Sequence, residues 1–159
     1  MKKAFVFCLF CIPMLVAAQG TAVEGFDHWT TASLKSLSEP LAATAASDPH
    51  HVATKQLSSY KNEYFLLAHR EADGQAEWHE TEADVFFVQS GSATLVVGGT
   101  LNGAQTTAPH EQRGGTIEGG TRHKISAGDI VHIPPRVPHQ VLLDGTKDFT
   151  YFVVKVKGY

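Results

Sequence analysis

Acidic and imidazole side chains stand together in the middle of the chain, where a strand would normally bury apolar residues. Glu77 and His79 are two positions apart, so on a strand both side chains lie on the same face. The polar residues 80–83 are expected to turn the chain, which places Asp84 at the start of the next strand beside them. Two carboxylates and an imidazole in one place suit the binding of a divalent metal ion or the transfer of a proton.

A second histidine follows a proline-rich corner further along the chain. A Gly-Asp turn at Gly128 leads into the apolar run Ile130 to Ile133, and prolines are frequent in the next residues, 134–138. Because proline cannot donate to a sheet ladder, such a segment ends the strand. His139 therefore emerges from a rigid corner at the start of the following strand, where it could join the first cluster.

The elements that must position these side chains are short and rich in β-forming residues. After Ser58 the apolar runs are cut at close intervals by Gly, Pro, Asp and Asn, a pattern typical of an antiparallel sandwich or barrel. The runs predicted to be strands are Tyr64 to His69, Ala76 to His79, Val85 to Gln89, Ala93 to Val97, Thr121 to Ile125, Ile130 to Ile133, His139 to Leu143 and Phe149 to Val156. We therefore expect an all-β jelly-roll barrel. The polar segment from Gly98 to Gly120 is either a lid or a decorated hairpin.

A short α-helix is predicted ahead of the barrel. Apolar residues recur at mostly helical spacing from Phe26 to Leu41, and Pro40 is expected to end the helix. A small, polar connector follows, over residues 42–51. The predicted organisation is a signal peptide at residues 1–18, the helix and connector at residues 19–58, and one barrel domain at residues 59–159.

The start of the chain has the order of a secretory signal peptide. Lys2 and Lys3 precede an apolar run that is too short to span a bilayer, and small residues follow that run. A periplasmic or secreted protein is therefore expected, with both cysteines removed from the mature chain. The loss of Lys2 and Lys3 leaves 11 basic residues against 16 acidic ones, a net charge of −5. That charge argues against nucleic acid or an anionic membrane surface as a partner.

The two chemical segments resemble the paired motifs of the cupin superfamily of single-domain barrel proteins. The matching positions are Glu77, His79, Asp84 and Gly91 in the first motif and Gly128, Pro134 and His139 in the second. Glu77 stands where the family has its first histidine, and Asp84 stands where the family has its glutamate. The resemblance covers residues 64–154 and implies a double-stranded β-helix, or jelly-roll barrel, here with a short N-terminal α-helix.

The resemblance also implies a metal site inside the barrel. The family's usual ligands are three histidines and a glutamate, and the corresponding residues here are Glu77, His79, Asp84 and His139. Neutral imidazoles and carboxylates suit divalent Fe, Mn or Zn, with positions left for water or substrate. A Glu77 that does not ligate the ion would be the general base. A metal-free barrel in which a carboxylate pairs with a histidine stays open, as does an Asp84 that faces water.

Three kinds of function fit these residues. The first is a metal-dependent enzyme, of oxygenase, isomerase or lyase type, that acts on a small organic molecule. The second is a non-catalytic module that binds a small molecule or a metal ion. In the third, the apolar run Phe149 to Val156 adds to a partner's sheet, and the barrel is the building block of a homodimer.

Overall fold

The computed structural model describes residues 23–159, and the predicted signal peptide at residues 1–18 lies outside them. One helix, α1 (Thr31–Ser47), comes before the strands. The strands in chain order are β1 (Val52–Ser59), β2 (Glu63–Arg70), β3 (Glu77–His79), β4 (Glu82–Val97), β5 (Thr100–Asn102), β6 (Gln105–Ala108), β7 (Glu111–Arg113), β8 (Thr116–Glu118), β9 (Thr121–Ser126), β10 (Ile130–Ile133), β11 (His139–Leu142) and β12 (Phe149–Lys157). Among the described residues, no helix is long and apolar enough to cross a membrane.

Two antiparallel sheets share the long strand β4, which passes from one sheet into the other. The first half of β4 pairs with β10 and β12, and β12 continues to β2 and β1. The second half of β4 pairs with β9 and β11, and β11 continues to β3, β7 and β6. The predicted all-β jelly roll with a short N-terminal helix is confirmed.

The alternation of side chains along the strands separates a barrel core from a second, outer core. Phe86 on β4 and Tyr151 on β12 face inward and belong to the barrel core. Leu67 and Phe152 face the other way and pack beneath α1. Because side chains alternate with a period of two, the inward face of β12 continues from Tyr151 to Lys155. The same face that packs the barrel core therefore ends in a charged residue.

Helix α1 continues past Pro40, so the prediction that this proline ends the helix was wrong. Thr30 caps the helix by accepting a hydrogen bond from the Ser33 N–H at 3.1 Å. Beyond the proline, Leu41 and Ala45 are buried in the outer core. Their burial offsets the one helical hydrogen bond that is lost because proline has no N–H.

The strands differ from the predicted ones in three places. Strand β1 begins within the range 19–58 that was predicted as helix and connector, and it pairs with β2. The runs predicted at residues 85–89 and 93–97 are two halves of the single strand β4. The segment 98–120 forms nested pairings of β5 with β8 and of β6 with β7. Of the two alternatives for this segment, the decorated hairpin is the one observed.

Strand β12 is hydrogen-bonded along both of its edges. It pairs with β2 on one side and with β4 on the other. A strand can add to a partner's sheet only where its backbone N–H and C=O groups are unpaired. The suggestion that the run Phe149 to Val156 adds to a partner's sheet was therefore wrong.

Gly91 marks the place where β4 passes between the sheets, and we expect Gly91→Ala to be costly. Its φ is +78°, and an added Cβ would meet the carbonyl oxygen of Asp148. The free energy of unfolding, measured by urea denaturation, should fall by about 3 kcal/mol. Gly98 is the matched control, because its φ is +77° and nothing lies within 4 Å of a Cβ there. Gly98→Ala should cost only about 1 kcal/mol, and equal losses at the two positions would contradict the steric argument.

Candidate functional site

Two cross-strand pairs meet inside the barrel. Asp84 on β4 lies opposite Lys155 on β12 in the first sheet. Glu77 on β3 lies opposite His139 on β11 in the second sheet, and His79 is two positions from Glu77. Because each pair is fixed by backbone register, the packing of one sheet on the other brings all five side chains into one cluster.

The structure brings together the four residues predicted to form the site. His79 Nε2 lies 3.6 Å from Glu77 Oε2 and 3.5 Å from Asp84 Oδ2. His139 Nε2 lies 3.4 Å from the same Asp84 oxygen, and the two imidazole rings are 5.2 Å apart. Glu77, His79 and His139 each offer one ligand atom within 4.8 Å of the others. Two imidazoles and a carboxylate at this spacing form a group that could hold a divalent metal ion.

Hydrogen bonds on the far side of each ring turn both Nε2 atoms toward the cluster. His79 Nδ1 donates to Glu111 Oε2 at 2.6 Å, and His139 Nδ1 donates to the Val137 carbonyl at 3.1 Å. Carboxylate and carbonyl oxygens only accept, so each Nδ1 carries a proton, and in the neutral form of each ring the lone pair is on Nε2. His139 Nε2 is buried and has no hydrogen-bond partner among the described residues. That free, buried lone pair is what a metal ligand requires.

Lys155 is the residue at the centre of the cluster that the sequence analysis missed. Its Nζ lies 2.6 Å from Asp84 Oδ1 and donates to His79 Nε2 at 2.8 Å. The side chain is only 8% exposed. An available signal was the alternation along β12, since Lys155 shares one face with Phe149, Tyr151 and Val153 of the barrel core.

Glu77 is held by two arginines that the sequence analysis also missed. Arg70 Nη2 lies 3.1 Å from Glu77 Oε1, and Arg113 Nη1 lies 2.8 Å from Glu77 Oε2. Arg70 is buried, and its Nε donates to the hydroxyl of Tyr151 at 2.9 Å. Arg113 is more exposed, with 38% of its side chain accessible. The Glu77 carboxylate is therefore fixed in orientation before any ligand arrives.

The charges around the two central carboxylates keep both of them ionised. Burial alone would raise the pKa of Glu77, but the nearby cations, Arg113 first and then Arg70 and Lys155, lower that pKa. Burial would likewise raise the pKa of Asp84. The contacts of His139 and His79 with the Asp84 carboxylate, together with the charge of Lys155, lower it well below its usual range.

A small cavity adjoins the cluster. Its volume is about 160 Å³, and its charged and imidazole lining consists of Arg70, Glu77, Asp84, Arg113, His139 and Lys155. Its apolar lining includes Phe86 and Tyr151. A wider hollow of about 310 Å³ lies beneath α1, but the possible metal-binding group of Glu77, His79 and His139 lies outside its lining. Pockets for drug-sized ligands usually measure roughly 300–1,000 Å³, so the cavity beside the cluster suits a small molecule.

Comparison with solved structures finds the same fold in several proteins. An uncharacterized conserved protein with a double-stranded beta-helix domain from Klebsiella pneumoniae is 18% identical over 67% of this chain and 77% of that chain, with a TM-score of 0.50. KdgF from Halomonas sp. is 15% identical over 71% and 84%, with a TM-score of 0.51. A predicted oxalate decarboxylase from Thermotoga maritima is 16% identical over 67% and 81%, with a TM-score of 0.50. No protein-family model and no curated protein sequence matches the chain.

The fold is therefore the double-stranded β-helix of the cupins. Sequence identities this low establish the fold and leave the activity to be argued from the site. Within that fold, Glu77, His79 and His139 form the possible metal-binding group.

Proposed function

We propose that this chain is an exported protein whose barrel binds one divalent metal ion, Fe, Mn or Zn, and acts on a small organic molecule. Glu77, His79 and His139 would hold the ion, and Asp84 would anchor the neighbouring Lys155. The observation that carries the proposal is the buried His139 Nε2, which has no hydrogen-bond partner among the described residues and converges with His79 and Glu77. A bound divalent ion would supply Lewis-acid polarisation of a substrate oxygen.

The residues of the chain itself limit what the site can take and do. The cavity of about 160 Å³ admits only a small molecule. Arg113 is the more exposed of the two arginines on Glu77, so it can meet a carboxylate or other anionic group of the substrate. Glu77 is held ionised and in a fixed orientation. When Glu77 does not ligate the ion, it is the proton acceptor. A small organic acid as the substrate of this chain would be consistent with its fold neighbour from Thermotoga maritima, which is a predicted oxalate decarboxylase.

A second function, the metal-free capture of a small ligand, is favoured by the charge balance of the cluster. Three carboxylates, on Glu77, Asp84 and Glu111, are matched by the cations of Arg70, Arg113 and Lys155. Buried carboxylates that already have such partners do not need an ion for stability. In this alternative the barrel is a binding module, and small ligands would raise its melting temperature without being turned over.

Metal content of His139→Ala separates these two functions. Protein purified without an affinity tag is stripped, equilibrated with Fe(II), Mn²⁺ and Zn²⁺ in turn, and submitted to elemental analysis. We expect about one ion per chain for the parent, as in a mononuclear site. His139→Ala should bind the same ion at least about tenfold more weakly, because it removes one of three ligands.

His132→Ala is the matched control, since His132 lies exposed on β10. It should retain the metal content of the parent. A parent that takes up no ion under any of these conditions would exclude the metal-dependent function and leave the binding module. Equal uptake by the parent and His139→Ala would place the ion elsewhere.

A further inference from the structure

The ammonium of Lys155 occupies the position in which a metal ion would meet His79. Lys155 lies directly opposite Asp84 in the register of β4 and β12, so the backbone fixes it there. Its Nζ contacts Asp84 Oδ1 at 2.6 Å and His79 Nε2 at 2.8 Å. Both partners are buried, with Asp84 2% and His79 3% exposed. The contact is therefore shielded from water and from screening by salt.

The Nε2 atom of His79 has a single lone pair. With Nδ1 committed as a donor to Glu111, that lone pair either accepts a hydrogen bond from Lys155 or ligates a metal ion. It cannot do both. Asp84, in contrast, has two carboxylate oxygens, and only Oδ1 contacts Lys155 closely. The ammonium can therefore leave His79 and still keep its counter-ion.

We propose that Lys155 is an internal competitor of the metal ion, which completes the cluster when no ion is bound and which sets the affinity and occupancy of the site. The inference rests on the metal site proposed above and explains how the same cluster is balanced in charge without an ion. An incoming ion must displace a charge-assisted hydrogen bond between buried groups. Displacement of such a bond weakens metal binding by about ten- to one hundredfold.

Calorimetric titration of Mn²⁺ into metal-free protein tests this competition. Lys155→Met removes the charge and keeps an unbranched side chain, and a thioether is a poor ligand for Mn²⁺. We expect Lys155→Met to bind Mn²⁺ about ten- to one hundredfold more tightly than the parent. Lys157→Met is the matched control on the same strand, because Lys157 Nζ lies over the Tyr64 ring, 4.8 Å from its centroid, and no ion pair joins it to Glu77 or Asp84. Its Mn²⁺ affinity should stay that of the parent.

Thermal unfolding supplies a second readout. Metal-free Lys155→Met should melt below the parent, and Mn²⁺ should raise its melting temperature by more than it raises that of the parent. Lys155→Met leaves the buried Asp84 carboxylate without a counter-ion and could fail to fold for that reason. The double variant Lys155→Met/Asp84→Asn removes this unpaired charge and takes its place in that case. It should show the same gain in Mn²⁺ affinity.

The outcomes separate this inference from the proposed function. Equal Mn²⁺ affinity in the parent and in the folded Lys155 variant would overturn the competition while the metal site stands. No binding of Mn²⁺ in either protein, and none of Fe(II) or Zn²⁺ in the same titration, would overturn both. Mn²⁺ binding by the Lys155 variant and not by the parent would support the competition. Lys155 would then be the reason why the parent stays metal-free.

Discussion

Asp84→Asn is expected to lower the free energy of unfolding by about 3 kcal/mol at neutral pH. The substitution keeps the shape of the side chain and removes its charge, which leaves the ammonium of Lys155 buried without a counter-ion. Removal of one partner of a buried ion pair costs more than the pair contributes, because the remaining charge is still desolvated. Urea denaturation of parent and variant measures the loss.

Asp144→Asn is the matched control for this prediction. Asp144 has two cationic partners, Arg122 and Lys124, and their contacts lie at the surface. Surface ion pairs contribute little, so Asp144→Asn should cost under about 1 kcal/mol. The double variant Asp84→Asn/Lys155→Met should be more stable than Asp84→Asn alone, since it removes the unpaired ammonium. Equal losses in the two single variants would contradict a buried pair at Asp84.

The sequence predicts the barrel well where strand pattern and turn chemistry agree. The apolar run Ile130 to Ile133, bounded by a Gly-Asp turn and a proline corner, coincides with β10. Where the local pattern and the packing disagree, packing decides. Pro40 disfavours a helix, yet the helix continues because Leu41 and Ala45 have an outer face of the sheet to cover. That face exists only in the folded protein.

Strand β1 shows a second limit of local pattern. Its sequence, Val52 to Ser59, is largely polar, and most of its residues are exposed or half-buried. It is a strand because it pairs along β2 at the margin of the sheet. Edge strands bury few side chains, so the alternation of apolar residues that reveals an inner strand is weak there.

The candidate site was predictable in its histidines and only partly in its charges. Glu77 and His79 could be placed on one face from their spacing, and His139 from the proline corner. Lys155 and Arg113 reach the cluster through pairing across strands, and their partners depend on register between segments far apart in the chain. Register is set by the whole barrel. The cations that compensate the carboxylates were therefore missed, although the carboxylates were found.

Loss of stability in acid is the second large effect that follows from the cluster, and Glu77→Gln isolates the part due to Glu77. Burial raises the pKa of Glu77, but the nearby charges, that of Arg113 first, outweigh burial. In the folded protein the pKa of Glu77 is therefore below its value of about 4.3 in the unfolded chain. A carboxyl group of this kind stabilises the fold fully above its unfolded pKa and loses that contribution as the pH falls through its folded pKa. The unfolding free energy of the parent should therefore decline below about pH 4.

Glu77→Gln cannot titrate, so its deficit relative to the parent should depend on pH in a defined direction. At pH 7 the variant loses its ion pairs with Arg70 and Arg113 and should be about 2 kcal/mol less stable. As the pH falls below about 4, the parent takes up the proton that the variant never carries, and the deficit should shrink. Urea denaturation at intervals from neutral pH to about pH 3 measures both curves.

The acid sensitivity that remains in Glu77→Gln is expected to come from Asp84, whose pKa is lowered in the same way. A deficit that stays constant across this range would mean that Glu77 is not held as a carboxylate by its arginines, and the charge balance inferred for the cluster would fail with it.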